Sequence, residues 1–311
     1  MGRRVALTGA TGFIGAALLA AFRARGWTVR ALTRRPRAPL EGVCWVEGDL
    51  SDETALTRLV EGAEAVVHCA GAVRGASQAD FDRVNVAGAA GVARAARSNG
   101  VLERYLLVSS LAARAPHLSW YARSKRDGED ATAEALGGAV PWAALRPTAV
   151  HGPGDREMRP LFTLMRRGWL PVLGPADARV TLLHVDDLVS AAVAWLEHPA
   201  PPTGRFELHD GTPDGYNWPR IARIGEEVWG RRIRPVRIPA AALRGAAAVN
   251  LALARLVGRA PMLTPAKVRE LRHPDWRCDN TAIQRAVGWT PRLDLATALR
   301  RDPTLGASKG S

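Results

Sequence analysis

Tyrosine and lysine are scarce in this 311-residue chain, three of each, and one of each falls four residues apart, at Tyr121 and Lys125. Random placement of three and three gives ~0.03 such pairs, so the spacing carries information. On a helix, residues four apart share one face with Cβ atoms about 5–6 Å apart, close enough for an ammonium to stand beside a phenol oxygen. The positive charge favours the phenolate and draws a tyrosine pKa of about 10 toward neutrality. Read this way, Tyr121 is a general acid/base for a proton on a substrate oxygen.

A second group of residues has the spacing to hold a phosphate-bearing cofactor. Thr8-Gly9-Ala10-Thr11-Gly12-Phe13-Ile14-Gly15 follows an apolar run, Val5-Ala6-Leu7, and opens an alanine-rich stretch. Glycines spaced G-x-x-G-x-x-G between a strand and a helix give the close backbone approach and the free helix N-terminus that a pyrophosphate needs. A cofactor with a bare ribose calls for a carboxylate at the end of the second strand, roughly 20 residues on. Here that strand ends Leu32-Thr33-Arg34-Arg35, with no acid before Glu41. Arginines at that point suit a 2′-phosphate, so Arg34 and Arg35 point to NADP, with NAD the alternative.

Short β-branched or apolar runs alternate with amphipathic alanine-rich stretches in the first half, the pattern of βαβ units. It predicts strands at Arg4–Thr8, Trp27–Thr33, Val43–Glu47, Ala65–Cys69, Tyr105–Ser109 and Trp142–Arg146. The clearest predicted helices are Gly12–Arg25, Ala79–Ser98 and Trp120–Leu136. Beyond about residue 150, proline and glycine cluster, as in His151-Gly152-Pro153-Gly154-Asp155. The expected fold is α/β: a doubly wound parallel sheet of the Rossmann type, with a smaller, interleaved C-terminal substrate lobe. Residues 1–155 form the dinucleotide-binding part and 182–209 return to it through a helix at Asp186–His198 and a strand at Arg205–His209. The lobe takes 156–181 and 210–311.

Composition narrows the function classes. Cys44, Cys69 and Cys278 are far apart and, like the seven histidines, show no ligand spacing, so a reducing cytoplasm is expected and a metal site is not. No signal-peptide pattern precedes the first strand. The most apolar late stretch, Gly245 to Ala254, lies between Arg244 and Arg255 and is far short of the ~20 residues that cross a bilayer. A net charge of +13 is mostly arginine spread along the chain. With no nucleic-acid-binding motif, it points to an anionic cofactor or substrate, and neither a nucleic-acid nor a membrane partner is expected.

Taken together these residues resemble the extended branch of the short-chain dehydrogenase/reductase superfamily, the epimerase/dehydratase-like group. The matching segments are Thr8–Gly15, Gly48-Asp49-Leu50, Val66–Gly71, Val84–Gly88, Leu107–Ser110, Tyr121 with Lys125, Leu145-Arg146-Pro147, Val150–Asp155, His184–Asp187 and Val287–Pro291. The resemblance implies that Asp49, beside Leu50, contacts an adenine. It implies that Ala70 and Gly71 line the cofactor and that Pro147 and Val150 border a nicotinamide. Ser110, or its neighbour Ser109, would hold the substrate oxygen, while Lys125 lowers the pKa of Tyr121 and holds the nicotinamide ribose. A homodimer through the Ala79–Ser98 and Trp120–Leu136 helices is a further implication.

Other residues read as structural: Asn85 as a backbone bonder, an aspartate of Asp186-Asp187 as a helix cap, Trp289 as a core anchor, and His151 as packing in the cofactor-side loop. Leu161, Phe162, Met165 and Trp169 have the spacing of a core-facing helix, with an apolar pocket the alternative. The substrate pocket is expected to form from the loop after Ser110, with His117 and Trp120, and from the lobe around Arg156–Trp169 and Ala240–Leu263. The leading function is an NADP-dependent oxidoreductase acting on a secondary alcohol or ketone. The alternatives are a nucleotide-sugar epimerase or dehydratase and a non-catalytic dinucleotide-binding sensor or assembly subunit. Thr148-Ala149, where sugar-nucleotide relatives often carry asparagine, weighs against the sugar reading.

Overall fold

Buried parallel strands read as continuous apolar runs because both faces are covered. In the computed structural model, which describes residues 3–302, such runs build one sheet. Residues 1–2 and 303–311, with Lys309 and the end of the expected lobe, lie outside the described residues. The sheet comprises β1 (Arg4–Thr8), β2 (Thr28–Thr33), β3 (Val43–Glu47), β4 (Ala65–His68), β5 (Arg104–Val108), β6 (Trp142–Pro147) and, after three short strands that lie outside it, β10 (Gly204–Leu208). Its order is β10-β6-β5-β4-β1-β2-β3 and every pairing is parallel. The order reverses between β1 and β4, where Thr8 stands opposite His68; ligands of doubly wound folds bind beyond the strand ends at such a switch point.

Parallel neighbours need crossovers, and helices supply them on both faces. On one face α1 (Phe13–Ala24) and α7 (Val185–Glu197) pack Phe22, Leu188 and Trp195 onto the sheet, joined by Ile283 of α11 (Thr281–Val287) and by Trp289. On the other face α2 (Glu53–Val60), α4 (Gly88–Arg97) and α5 (Trp120–Leu136) bury Leu56, Val92 and Leu136 around Tyr105. A third core lies in the C-terminal part, where Phe162 and Met165 of α6 (Arg159–Arg166) meet Leu170 of β8 (Trp169–Val172), Ile221 of α8 (Trp218–Trp229) and Leu299 of α12 (Leu295–Arg301). Phe162 and Met165 are thus core residues, while Trp169 is 49% exposed. Strand β8 pairs with β11 (Arg234–Arg237), and β7 (Ala149–His151) with β9 (Leu182–His184). Between β11 and α11 stand α9 (Ala240–Leu256) and α10 (Pro265–Leu271).

Two local expectations are corrected. The stretch at Ala79–Ser98 is not one regular helix but α3 (Gln78–Asp82), a wide π turn over Arg83–Ala87, and α4. The backbone of α5 presses on that turn: a Cβ on Gly128 would lie 2.1 Å from the Asn85 carbonyl oxygen. The cap of α7 is His184, whose Nδ1 accepts from the Asp186 amide, and neither aspartate takes that place. Asp187 is buried one turn inside and accepts from the amides of Arg292 and Leu293, fastening the C-terminal segment to the sheet domain.

Candidate active site

Every strand of a parallel sheet ends on the same edge, so residues just past β1, β2, β3, β4, β5 and β6 gather along one crevice. Gly9 follows β1, Arg34 follows β2, Asp49 follows β3, Ala70 and Gly71 follow β4, Ser109 and Ser110 follow β5, and Pro147 ends β6 with Val150 three residues on. The sequence scatters these residues over 140 positions; the topology brings them to one edge.

The glycine turn is shaped by contact. Gly9 has φ +74°, and a Cβ there would stand 2.7 Å from the Ala70 nitrogen, so the turn after β1 crosses the end of β4 at backbone distance. A Cβ on Gly15 would lie 2.0 Å from the Gly9 oxygen, which forces α1 tight against the turn. Gly12 is the N-cap residue of α1 and offers no side chain to cap it. Uncapped amides at a helix N-terminus, reached over a floor without side chains, fit a pyrophosphate. Thr11, Phe13 and Ile14 complete this turn. Beneath it the Thr8 hydroxyl accepts from the amides of Cys69 and Ala70 and stands 2.7 Å from His68 Nδ1. With its lone pairs so engaged, the hydroxyl donates its proton, which fixes His68 as neutral; burial, and then the charge of Lys125, take its pKa down to about 3.

Just past β2, Arg34 and Arg35 are exposed. Asp49 Oδ1 accepts from the amide and hydroxyl of Ser51, and these bonds, with the charge of Arg34, hold its carboxyl below the usual range. Leu50 packs beneath the start of α4, where a Cβ on Gly88 would meet it at 2.8 Å. Pro147 is buried and Val150 packs against the α1 side of the sheet.

Tyr121 and Lys125 sit on α5. Lys125 Nζ donates to the Val108 carbonyl at 2.8 Å and stands close to Gly71, whose added Cβ would be 3.8 Å away. Burial lowers its pKa to about 8 against the opposing pull of Cys69 and Glu129. Tyr121, half-buried, lies near the Ser110 side chain, which favours its ionised form. Burial pushes its pKa up to about 12; the charge of Glu270 adds to the rise and Ser110 opposes it. The expected pull of Lys125 on Tyr121 is therefore corrected: burial dominates and raises the Tyr121 pKa, while the Lys125 ammonium is directed at the Val108 carbonyl.

The two serines are separated by their partners. Ser109 Oγ donates to Glu129 Oε1 at 2.5 Å, and the fully buried Glu129 is also held by Arg146, bidentate at 2.9 and 2.6 Å, and by Arg205 at 2.9 Å. Ser110 faces Tyr121 and caps the short 3-10 turn Leu111–Arg114. Asn85 holds the loop after β4 through both Ala72 backbone groups and donates to Ser124 Oγ at 2.9 Å. Trp120 opens α5, and His117 precedes it by three residues. Trp289 anchors the core and donates to Ser190 Oγ. His151 is fully buried between Phe162 and His184.

Three site residues escaped the sequence reading. Glu270 of α10 accepts from Ser119 Oγ, the cap of α5, at 2.5 Å, and pairs with Lys267. Lys267 Nζ lies 5.1 Å from the centroid of the Tyr121 ring. Charges three apart on a short amphipathic helix look like a solvated face. The third, Glu129, had a signal in Arg146, an arginine in an otherwise apolar strand that demands a buried acid.

The family model for the NAD dependent epimerase/dehydratase family matches residues 5–207. The chain belongs to the NAD dependent epimerase/dehydratase family. It is an NAD(P)-dependent enzyme of the extended short-chain dehydrogenase/reductase type. It is 43% identical over 288 residues to a ceramide reductase of Caulobacter vibrioides, covering 91% of this chain and 88% of that one. It is 28% identical over 326 residues to a 2-alkyl-3-oxoalkanoate reductase of Stenotrophomonas maltophilia, covering 96% and 98%. Among solved structures, UDP-glucuronic acid 4-epimerase of Bacillus cereus, in complex with UDP-glucuronic acid and NAD, superposes with a TM-score of 0.75 at 17% identity, covering 97% of this chain and 98% of that one. The UDP-glucose 4-epimerase of Thermotoga maritima superposes at 0.71 with 19% identity, covering 96% of each. These two show the shared fold.

Proposed function

We propose that this enzyme is an NADP-dependent reductase that converts a ketone on a long-chain, ceramide-like lipid to the secondary alcohol. One observation carries the reading: the match at 43% identity to a ceramide reductase along nearly all of both chains. The nearness of Ser110 to Tyr121 supports the chemistry.

When bound, the reduced cofactor supplies the hydride. The Gly9–Gly15 turn and the α1 N-terminus would hold its pyrophosphate, Arg34 and Arg35 a 2′-phosphate, Asp49 and Leu50 the adenine side, and Ala70, Gly71, Pro147 and Val150 the nicotinamide side. Lys125, beside Gly71, would hold the ribose there. Tyr121 keeps its proton at neutral pH and is the acid that delivers it to the ketone oxygen. Ser110 donates to the same oxygen and stabilises the charge that develops on it. Glu129 and Asn85 keep α5 and the loop after β4 in register, so the three groups meet at one point.

A spectroscopic assay tests the reading: purified enzyme with NADPH and, in parallel, a keto-ceramide, a 2-alkyl-3-oxoalkanoate and UDP-glucose. Stoichiometric loss of reduced nicotinamide with a keto-lipid is the expected result. Interconversion of the nucleotide sugar with no net cofactor oxidation overturns it in favour of an epimerase.

A further inference from the structure

A surface helix ordinarily turns its apolar stripe inward and its polar face to water. Helix α9 is apolar on both sides. Its inward side is Leu243, Ala247, Leu251 and Ala254, of which only the two alanines are fully buried. On the opposite side Val249, Leu253 and Leu256 are 59, 57 and 82% exposed, and Val257 continues the stripe at 64%. Meanwhile two of its polar side chains are tied to protein: Asn250 Nδ2 donates to the Leu263 carbonyl at 2.8 Å and Arg255 Nη2 to the Ala76 carbonyl at 3.0 Å. A continuous exposed aliphatic stripe on one helix marks an interaction surface.

The charge around it says what covers it. Residues 228–269 contain nine arginines and lysines and no aspartate or glutamate. Residues 3–40 are also arginine-rich without an acid, but those lie along β1, α1 and β2, whereas the 228–269 window brackets α9. Arg244 and Arg255 are eleven residues apart and share one flank of α9, and the exposed Arg231, Arg232, Arg234 and Arg237 lie on and before β11. Aliphatic stripe plus cationic flank is the pattern of a helix that lies in the plane of an anionic bilayer, with its apolar face at the headgroup boundary.

The position matters for the site. Arg255 holds the loop after β4, Gly75 donates to the Pro261 carbonyl in the turn after α9, and α10, which follows, brings Lys267 and Glu270 to Tyr121. Helix α9 is therefore on the rim of the catalytic crevice.

We propose that α9 is an interfacial helix that docks this enzyme on an anionic lipid bilayer. It has seventeen residues, and no helix among the described residues is long and apolar enough to cross a membrane, so it lies on the surface rather than spanning it. This departs from the sequence expectation of no membrane partner, which weighed length alone. Docking stands on the surface of α9; that it delivers substrate to Tyr121 rests on the lipid-ketone reading.

The test is flotation of the full chain with vesicles of phosphatidylcholine alone or mixed with phosphatidylglycerol, with no substrate or cofactor present. The expected result is binding to the mixed vesicles that weakens with added salt and drops about tenfold or more in Leu253→Ser/Leu256→Ser, with an unchanged thermal midpoint. No binding to mixed vesicles, or equal binding by the double variant, overturns the proposal. So does a concentration-dependent dimer in sedimentation velocity that the same variant abolishes, since a second copy would then cover α9. Because the vesicles hold no ketone, failure of the substrate assay leaves this result standing, and the reverse also holds.

Discussion

Helices α5 and α9 are each seventeen residues long and are opposite in construction. The first turns polar groups inward: Ser124, Glu129 and Thr132 are buried, Gly128 lets the π turn approach, and Tyr121 and Lys125 project from its first turns toward the crevice. The second buries two alanines and shows aliphatic side chains to water. Buried charges must be completely paired to be tolerated, and pairing fixes geometry, so a helix that positions a reacting group benefits from carrying them. A helix held by a few small contacts and two tethers is free to meet something else. The difference teaches that one length of helix serves either precision or adhesion, according to which face is polar.

The comparison breaks most directly at Tyr121. Tyr121→Phe should lower turnover by about 10²–10⁴-fold, while fluorescence titration shows reduced cofactor still bound. Retained turnover would remove α5 from the chemistry. Next in size, Glu129→Gln should cost about 3–5 kcal/mol in chemical denaturation, because Arg146 and Arg205 lose a buried counter-charge. A loss under ~1 kcal/mol would mean that the network does not fix α5.

Arg34→Ser lies on neither helix and serves as a control. It should remove about 1.5–3 kcal/mol of NADPH affinity, read by calorimetry, and leave NADH binding and thermal stability alone. The pH profile comes next. Lys125 loses its proton as pH rises through about 8, whereas Tyr121 keeps its own to about 12, so ketone reduction should fall severalfold on the alkaline side of pH 8. Stability moves the other way: the folded pKa of Lys125 is below its unfolded value, so its burial cost is present below about pH 8 and is relieved as pH rises further. A flat rate between pH 7 and about 10 would show that the charge on Lys125 does not matter to turnover. The smallest effect belongs to α9: Leu253→Ser should change stability by no more than ~0.5 kcal/mol, and a larger loss would mark the stripe as core.

Much of the sheet domain was legible because local chemistry dictates it. Apolar runs closed by turn residues gave β1 to β6 to within a residue, and the glycine turn was readable because no other residue tolerates φ +74° with backbone 2.7 Å away. The π turn at Asn85 was not legible, since it packs against Gly128 of another helix, a contact that no local pattern shows. Glu129 was hidden for a similar reason: Arg146 signals a buried acid, but Asp127, Glu129 and Asp130 all look solvated, and only the fold selects the one that meets it. Lys267 and Glu270 stand about 150 positions from Tyr121, beyond the reach of any spacing argument.

The sequence by itself determined the parallel α/β sheet, the glycine turn, the absence of an acid after β2 and the four-residue step from Tyr121 to Lys125, because these depend on side-chain type and on neighbours a few residues away. Only the tertiary structure decided that Ser109 turns to Glu129 while Ser110 turns to Tyr121, that burial raises the tyrosine pKa, and that α9 faces water with its aliphatic side. Those outcomes depend on which surfaces lose water, and that is fixed by packing between distant segments.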